Sequence, residues 1–283
     1  MFKNIPLPPS FSLIKKGSTF LLLNDGYREL LLRSGIEDIE TYLSRRKREA
    51  RTVSGRRAHL SVAIENGERM IVRHYSHGGL LGFATRDFYC LGSRSFRELA
   101  LTEEIRASGI PTVCSIGAIH QRLLLFFYRA YFLTREISEA KNFIEYLSET
   151  GRSAQGEQLS RKRGILRDAG HTLRKFHDAG FFHADLQLKN LMVADAKTYL
   201  IDFDRSYRKQ PLSQKERLNN LLRLNRSADK WKQKGLPITR TDRWRFFLAY
   251  SGKDEEFQYI LRKALRRYSM LLFFHRIFWS IKE

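Results

Sequence analysis

Cysteine, proline and long apolar runs are scarce in this chain of 283 residues, and the scarcity of each excludes certain classes of protein. The two cysteines, Cys90 and Cys114, are too few for a disulfide framework or a four-cysteine zinc site, and we interpret both as buried thiols. The best apolar stretches, 123–133 and 269–281, are shorter than the roughly 20 residues of a membrane span and contain Arg or His. Because the N-terminus lacks a secretory pattern and only 6 residues are proline, we expect a folded cytoplasmic protein.

Acidic residues are also few relative to basic ones. The chain has 30 Asp and Glu against 51 Lys and Arg, which gives a formal net charge of +21. The segment 205–283 carries much of this excess, with 20 basic and 7 acidic residues. Such a charge suits a polyanionic partner: a nucleic acid, an anionic membrane surface or a phosphorylated substrate. No pattern of an RNA-binding module accompanies it, so we expect no nucleic acid as a partner.

The hydrophobic pattern changes along the chain from strand-like to helical. Two strand-like runs flank the turn Asn66-Gly67, which is typical of a β-hairpin, and a helix is predicted over 95–108. Further strand-like runs follow, and then a loop is predicted over 148–160. Beyond it, apolar residues at spacings of three and four predict a long helix that ends at Gly180.

These patterns predict an α+β chain with three parts. We expect an N-terminal extension over 1–50 and a small β-rich lobe with one main helix over 51–136. A mainly helical lobe is expected over 137–283, ending in basic helices.

One stretch carries the spacing of a phosphoryl-transfer site. His183, Asp185 and Asn190 form the pattern H-x-D-x-x-x-x-N, and a predicted two-strand hairpin then leads to Asp202 in D-F-D. Phosphoryl transfer needs a carboxylate to accept the proton of the attacking hydroxyl, which is the role we assign to Asp185. It also needs hard oxygen ligands for Mg²⁺ beside the nucleotide, for which Asn190 and Asp202 are the candidates. We interpret His183 as a brace beneath the loop, with proton transfer as the alternative.

A nucleotide-binding half is predicted upstream of this stretch. Arg73 ends a strand where kinases place a lysine that contacts phosphate, and Glu98 lies on the following helix where the partner carboxylate belongs. We expect these two side chains to pair and to hold the nucleotide phosphates, although Arg73 alone also fits an exposed charge at a strand end. Gly55 is the candidate for the loop that covers the phosphates, in a segment with one glycine where kinases often have three.

Several short motifs together resemble the 3-deoxy-D-manno-octulosonic acid (Kdo) kinases, which belong to the lipopolysaccharide-core kinases. The resemblance covers about 50–245. It rests on Arg73-His74-Tyr75 with Gly78-Gly79-Leu80, Phe96-Arg97-Glu98, His177-Asp178-Ala179-Gly180, His183-Ala184-Asp185-Leu186 and Leu200-Ile201-Asp202-Phe203-Asp204-Arg205.

This resemblance implies a protein-kinase-like fold of two lobes and a specific reaction. The implied enzyme uses ATP and Mg²⁺ to phosphorylate the O-4 hydroxyl of Kdo on a lipid A precursor. It works at the cytoplasmic face of the inner membrane, as a peripheral protein on an anionic surface. By the matching motifs, the base is Asp185 and the metal ligands are Asn190 and Asp202.

Other functions stay open at this point. Gln187 replaces the lysine that many protein kinases carry two residues after the catalytic Asp, which argues against a protein substrate. A heptose kinase of the same superfamily and another small-molecule or atypical protein kinase are alternative enzymes. A kinase-like module that binds an anionic membrane without catalysis is the alternative from another class. The sequence does not indicate an oligomeric state.

Two basic regions are candidates for contact with the acceptor and its membrane. The implied acceptor is acidic, so we expect cationic side chains at its entry and name His77, Arg86 and Arg94, with solvated loop charges as the alternative. The C-terminal stretch Leu261–Ile281 is basic in its first half and aromatic in its second. It fits a helix in the headgroup layer of a membrane, or an aromatic face packed on the helical lobe.

Overall fold

A computed structural model describes residues 5–47, 50–53, 59–75, 89–90, 93–124, 127–151 and 155–280. The chain folds into two compact units, which we call unit 1 and unit 2. Unit 1 comprises Met1–Ala140 and Leu200–Tyr207, and unit 2 comprises Lys141–Tyr199 and Arg208–Glu283.

Unit 1 is built on an eight-stranded sheet, within the described residues, whose strands pair in an antiparallel manner. The strands are β1 Phe11–Lys16, β2 Thr19–Asn24, β3 Arg51–Val53, β4 His59–Ala63, β5 Arg69–His74, β6 Tyr89–Cys90, β7 Ser115–Leu124 and β8 Phe127–Arg135. Their order is β1-β2-β7-β8-β5-β4-β3, and β6 also pairs with β8. The helices of this unit are α1 Asp25–Arg33, α2 Ile39–Arg46 and α3 Arg94–Ala107.

The sheet of unit 1 has a hydrophobic core on each face. Successive side chains of a strand point to opposite faces, and neighbouring residues of β2 accordingly belong to different cores. Leu21 and Leu23 pack in the core that contains Leu31 of α1 and Tyr42 of α2. Leu22 packs in the other core, with Phe96 and Leu99 of α3.

The expectation of an extension over 1–50 differs from this arrangement. β2 pairs with both β1 and β7, so it lies inside the sheet, and α1 and α2 cover one face of that sheet. A strand buried on both faces reads as a continuous apolar run, here Leu21–Leu23, and shows no alternation that would mark it as a strand.

Unit 2 is mainly helical. Its helices are α4 Phe143–Thr150, α5 Gly156–Asp178, α6 Gln214–Gln233, α7 Arg240–Ser251 and α8 Glu255–Ser280. The predicted loop before the long helix is therefore shorter than expected, because α5 already begins at Gly156. α5 and α7 pack closely at Gly170, where an added Cβ would lie 2.5 Å from the carbonyl oxygen of Phe246.

Short strands in unit 2 follow the predicted hairpin. They are β9 Lys141–Asn142, β10 Phe181–Phe182, β11 Leu191–Ala194, β12 Lys197–Leu200 and β13 Tyr207–Arg208, of which Leu200 and Tyr207 already belong to unit 1. β11 lies between β12 and β9. The turn of the hairpin holds Asp195 and Ala196 at φ values of 47° and 57°, which is the left-handed pair of a tight two-residue turn.

The predicted class, with a β-rich part followed by a mainly helical part, is confirmed by these two units. Within the described residues, no helix combines the length and the apolar character that a membrane crossing needs.

Candidate active site

Arg73 and Glu98 form the expected ion pair in unit 1. Arg73 lies near the end of β5, and Glu98 lies on α3, which packs on the same face of the sheet as Tyr75. The guanidinium of Arg73 donates to Oε2 of Glu98, and the hydroxyl of Tyr75 donates to the same oxygen. Arg73 also donates to the Tyr75 hydroxyl over 2.8 Å. The side chain of Glu98 is only 1% exposed, whereas that of Arg73 is 18% exposed, so the carboxylate is buried and the guanidinium is partly accessible.

The D-F-D segment, Asp202–Asp204, forms hydrogen bonds with both members of this pair. Arg73 donates from its other terminal nitrogen to Oδ1 of Asp202 at 2.5 Å. The backbone N–H of Phe203 donates to Oε1 of Glu98 at 3.0 Å. Asp202 has a φ of 67°, a left-handed conformation that is uncommon for residues other than glycine and is tolerated best by Asn and Asp. Glu98 thus connects strand β5, helix α3 and the segment that carries Asp202.

Burial sets the electrostatics of this cluster. Desolvation raises the pKa of the Glu98 carboxyl, and the charge of Arg73 opposes that rise. For Arg73, burial alone would lower the pKa, but the carboxylates of Glu98 and Asp202 and the neighbouring Tyr75 hydroxyl together raise it well above its ordinary value. Arg73 is therefore a permanent cation, and its Nε is buried with no hydrogen-bond partner among the described residues.

Arg94 has a partner that the sequence did not indicate. We expected it at an entry for the acceptor, but it forms a two-pronged ion pair with Asp204 from the first turn of α3. Its guanidinium also lies 5.6 Å from the centroid of the Tyr75 ring. Arg94 therefore fixes the D-F-D segment to α3, in a position one turn before Glu98.

In unit 2, buried side chains stabilise the loop that carries Asp185 through hydrogen bonds to its backbone. His183 is fully buried, and its Nδ1 accepts the backbone N–H of Asp185 over 3.1 Å. Asn220 of α6 bonds both backbone groups of His183, accepting from its N–H and donating to its carbonyl, each at 3.0 Å. This geometry agrees with the bracing role assigned to His183. Sequence reasoning missed Asn220, because no local spacing connects it to a loop 37 residues earlier.

Asn190 is oriented by the same loop. It ends a 3-10 helix over Leu188–Asn190 and is 3% exposed. Its Nδ2 donates to the carbonyl oxygen of Asp185 over 2.8 Å. The amide nitrogen is thereby committed to the protein, and the amide oxygen is the atom that a metal ion would take.

The carboxylate of Asp185 lies among polar and cationic side chains. Gln187 donates to Oδ1 over 2.5 Å. Lys189 lies 3.4 Å from Oδ2, and Arg223 of α6 lies 3.4 Å from Oδ1. The position of the lysine found in protein kinases is thus occupied by Gln187, while the positive charge near Asp185 comes from Lys189 and Arg223. Arg223 was not identified from the sequence, since it lies 38 residues after Asp185.

Each unit contains side chains of the chemical types that bind a nucleotide and its magnesium ion. Asn190 and Asp202 offer the hard oxygen donors that Mg²⁺ prefers, and the Asp202 side chain is 30% exposed although Arg73 donates to it. Arg73 supplies a guanidinium suited to phosphate oxygens. Arg73, Glu98 and Asp202 come together in unit 1, whereas Asp185 and Asn190 come together in unit 2.

Some predicted residues lie outside the described part of the chain. These are Gly55 of the phosphate-covering loop and two acceptor candidates, His77 and Arg86. The backbone of the C-terminal stretch is helical in α8, but its side chains from 268 onward lie outside the described set. The two interpretations of that stretch, anchor and packed face, therefore both stay predictions.

The sheet with a buried Arg–Glu pair and the helical unit with a braced H-x-D loop define a phosphotransferase of the kinase-like class. A solved structure titled "WaaP in complex with acyl carrier protein" has the same fold, with a TM-score of 0.54 at 14% sequence identity, over 87% of this chain and 98% of that one. The chain belongs to the lipopolysaccharide kinase (Kdo/WaaP) family, whose model matches residues 41–250.

Curated relatives carry a more specific name. A 3-deoxy-D-manno-octulosonic acid kinase of Photobacterium damsela subsp. piscicida is 31% identical over 182 residues, which is 62% of this chain and 71% of the relative. A protein of the same name from Vibrio cholerae serotype O1 is 34% identical over 164 residues, or 56% of this chain and 65% of the relative. The aligned part thus spans about two thirds of the length of these relatives.

Proposed function

We propose that this protein is a Kdo kinase, which transfers the terminal phosphoryl group of ATP to the O-4 hydroxyl of Kdo on a lipid A precursor. The observation that carries the proposal is the arrangement of Arg73, Glu98 and Asp202, because these residues fit a nucleotide and its metal within a family of lipopolysaccharide kinases. The curated relatives are named as Kdo kinases, which favours that sugar over a heptose.

In this proposal, each charged residue has one task. Asp185 accepts the proton of the attacking hydroxyl, and the hydrogen bond from Gln187 holds its carboxylate in position. Arg73 contacts the phosphates of the nucleotide, and Glu98 fixes the direction of its guanidinium. Asn190 and Asp202 hold Mg²⁺, which neutralises charge on the phosphates when it is bound.

A direct acceptor comparison tests the proposal. The purified chain is incubated with labelled ATP, Mg²⁺ and either a Kdo-bearing lipid A precursor or a heptose-bearing core. We expect label on the Kdo-bearing acceptor, removable by a phosphatase, and its position at O-4 follows from mass spectrometry of the product. Label on the heptose-bearing core alone would contradict the choice of sugar. Binding of ATP without transfer to any acceptor would favour the non-catalytic alternative.

We further propose that the enzyme reaches this acceptor as a peripheral protein on the cytoplasmic face of the inner membrane. Unit 2 exposes three large apolar side chains on α7 and α8: Trp244, Leu248 and Tyr259. The guanidinium of Arg262 lies 4.9 Å from the Trp244 ring centroid, and Lys263 lies 6.0 Å from that of Tyr259. Aromatic rings beside exposed cations suit the headgroup layer of an anionic bilayer.

Sedimentation with vesicles tests this membrane association. Vesicles of phosphatidylglycerol and phosphatidylethanolamine should bind the wild type in a salt-sensitive manner. Trp244→Ala with Tyr259→Ala should weaken binding, whereas Leu13→Ala, an exposed apolar residue of unit 1, should not. Removal of 269–283 separates the tail interpretations, because loss of binding in a folded protein indicates an anchor and unfolding indicates a packed face. Equal vesicle binding by all these variants would contradict membrane docking through this surface.

A further inference from the structure

Two cationic side chains lie beside the proposed base, Asp185, but neither makes a short ion pair with it. Lys189 and Arg223 each lie 3.4 Å from a carboxylate oxygen of Asp185. Charge-assisted hydrogen bonds are usually about 2.7–2.9 Å long, so both contacts are loose. Other arginines of unit 2 hold their carboxylates more tightly, since Arg217 and Arg243 each reach an aspartate at 2.5 Å.

These two cations outnumber the carboxylate that they face. Within the part of the chain that the structure describes, Asp185 is the acidic partner of both, and neither has a second. The side chain of Arg223 is 43% exposed, and a guanidinium has five N–H donors, so Arg223 can bond a ligand as well as Asp185. The local balance is therefore one uncompensated positive charge next to Asp185.

The face of α6 that carries Arg223 extends this positive charge. Arg226 and Lys230 follow at spacings of three and seven residues, which places them on the same side of the helix, and both are exposed. Neither has an ion pair among the described residues. The nearby Asp229 does not neutralise them, because it pairs with Arg243 of α7. A row of three cations, half-buried Arg223 followed by exposed Arg226 and Lys230, thus begins at the proposed base.

We propose that Arg223, with Arg226 beside it, binds an acid group of the acceptor and so places the acceptor hydroxyl at Asp185. The proposal rests on the proposed function, because it assumes that Asp185 receives that hydroxyl. A guanidinium matches a carboxylate or a phosphate with two parallel hydrogen bonds, which fixes orientation as well as position. When such a group binds, Arg223 exchanges its loose contact with Asp185 for the ligand, and the carboxylate is left to accept the hydroxyl proton.

Steady-state kinetics of charge-removing variants tests the proposal. Arg223→Gln should raise the KM for the acceptor by about 10-fold or more, as expected for a lost charged hydrogen bond, and leave the KM for ATP within about twofold. Arg226→Gln should act in the same direction but less strongly, and Arg223→Lys should restore part of the affinity. The matched control is Lys232→Gln, which removes an exposed charge on the opposite side of the same helix, about two and a half turns further along, and should change neither constant.

Modified acceptors identify the acid group and separate the possible sources of charge. If Arg223 binds a carboxylate, methyl esterification of the acceptor should weaken the wild type and abolish the difference between wild type and Arg223→Gln. If it binds a phosphate of the carrier lipid, removal of that phosphate should have the same effect. An increase in the KM for ATP as large as that for the acceptor, or a fall in kcat alone, would overturn the proposal.

The choice of acceptor keeps this test distinct from that of the proposed function. The same variants are measured on whichever acceptor the wild type phosphorylates. Transfer to a heptose-bearing core would contradict Kdo as the substrate, yet the response to Arg223→Gln would still decide the role of Arg223. A difference between wild type and Arg223→Gln that stays the same on an acceptor without any acid group would overturn it.

Discussion

Units 1 and 2 hold their charged site residues in opposite ways. In unit 1, Glu98 is 1% exposed and receives hydrogen bonds from Arg73, Tyr75 and Phe203. In unit 2, Asp185 is 38% exposed and meets its two cations at 3.4 Å. The first carboxylate is buried and closely paired with its cation, whereas the second is more exposed and only loosely paired with its cations, although Gln187 donates to it over 2.5 Å.

This difference indicates which cluster keeps its geometry when a ligand arrives. A buried ion pair is costly to break, because an unpaired charge would stay in a medium of low polarity. An exposed pair contributes little to stability, and its members exchange partners at small cost. We therefore expect unit 1 to offer a fixed frame for the nucleotide, and the surroundings of Asp185 to rearrange when an acceptor binds.

The largest expected effect is the loss of Asp185. Asp185→Ala should lower kcat by a factor of about 10² to 10⁴, the usual contribution of a positioned acid–base group. Since this side chain is exposed, its removal should leave the thermal unfolding temperature nearly unchanged. The control is Glu149→Ala, another exposed carboxylate of unit 2, which pairs with Lys141 and should leave the rate intact. A wild-type rate in Asp185→Ala would show that the base is elsewhere.

Glu98→Gln should lower activity less than Asp185→Ala does, but it should lower the folding stability more. The variant removes the charge that faces buried Arg73, and we expect the free energy of unfolding to fall by about 1–3 kcal/mol. The protein should stay folded and bind ATP more weakly, because the guanidinium of Arg73 is no longer fixed. The unfolding free energy follows from urea titration, and the ATP affinity follows from calorimetry.

The matched control for Glu98→Gln lies on the same helix. Glu103 is also a buried carboxylate of α3, where it pairs with Arg106 and accepts the backbone N–H of Ser115. Glu103→Gln should lower stability in a similar way without a change in ATP affinity. Equal losses of ATP affinity in both variants would mean that Glu98 acts through folding alone.

The smallest expected effect concerns folding stability and its dependence on pH. It comes from two buried histidines, one in each unit, and is smallest at neutral pH. Burial lowers the pKa of His177 to about 3 and that of His120 to about 4, from an ordinary value of 6.5. Below pH 6.5 the unfolded chain therefore binds protons that the folded protein does not, so stability falls as pH decreases. Each group should contribute up to about 1.4 kcal/mol per pH unit, down to about its folded pKa.

The variant His120→Phe isolates one of these contributions. His120 stacks on Tyr128 at a centroid distance of 4.2 Å and lies near Phe96, so a phenylalanine preserves the aromatic packing. Urea titrations between pH 7 and pH 4 should give a shallower loss of stability for the variant than for the wild type. Parallel slopes would show that His120 takes up protons equally in the folded and unfolded chains.

The sequence predicts the local parts of the site better than the distant ones. The spacing from His183 to Asn190 is local, and the loop over these residues has the expected brace and 3-10 turn. The pairing of Arg73 with Glu98 could be predicted from their places at a strand end and on the next helix, and the pair is present. Whether these residues perform the assigned roles stays a prediction.

Long-range contacts were beyond sequence reasoning. Asn220 and Arg223 reach the loop from α6, and no periodic pattern distinguishes them from other polar residues of that helix. The ion pair of Arg94 was not foreseen, because its partner, Asp204, lies 110 residues away. The run Leu21–Leu23 gave no sign of an interior strand, because its position depends on pairing with β7, almost a hundred residues later.

The central claim is that nucleotide affinity depends on the buried cluster of unit 1 and not on the open cluster around Asp185. Calorimetric titration of ATP with Mg²⁺ into Arg73→Lys and Asp185→Asn tests it most directly. Arg73→Lys should weaken binding by about 10-fold, because an ammonium cannot replace the guanidinium fork, whereas Asp185→Asn should stay within about twofold of the wild type. Weakened binding in Asp185→Asn together with wild-type binding in Arg73→Lys would contradict the account.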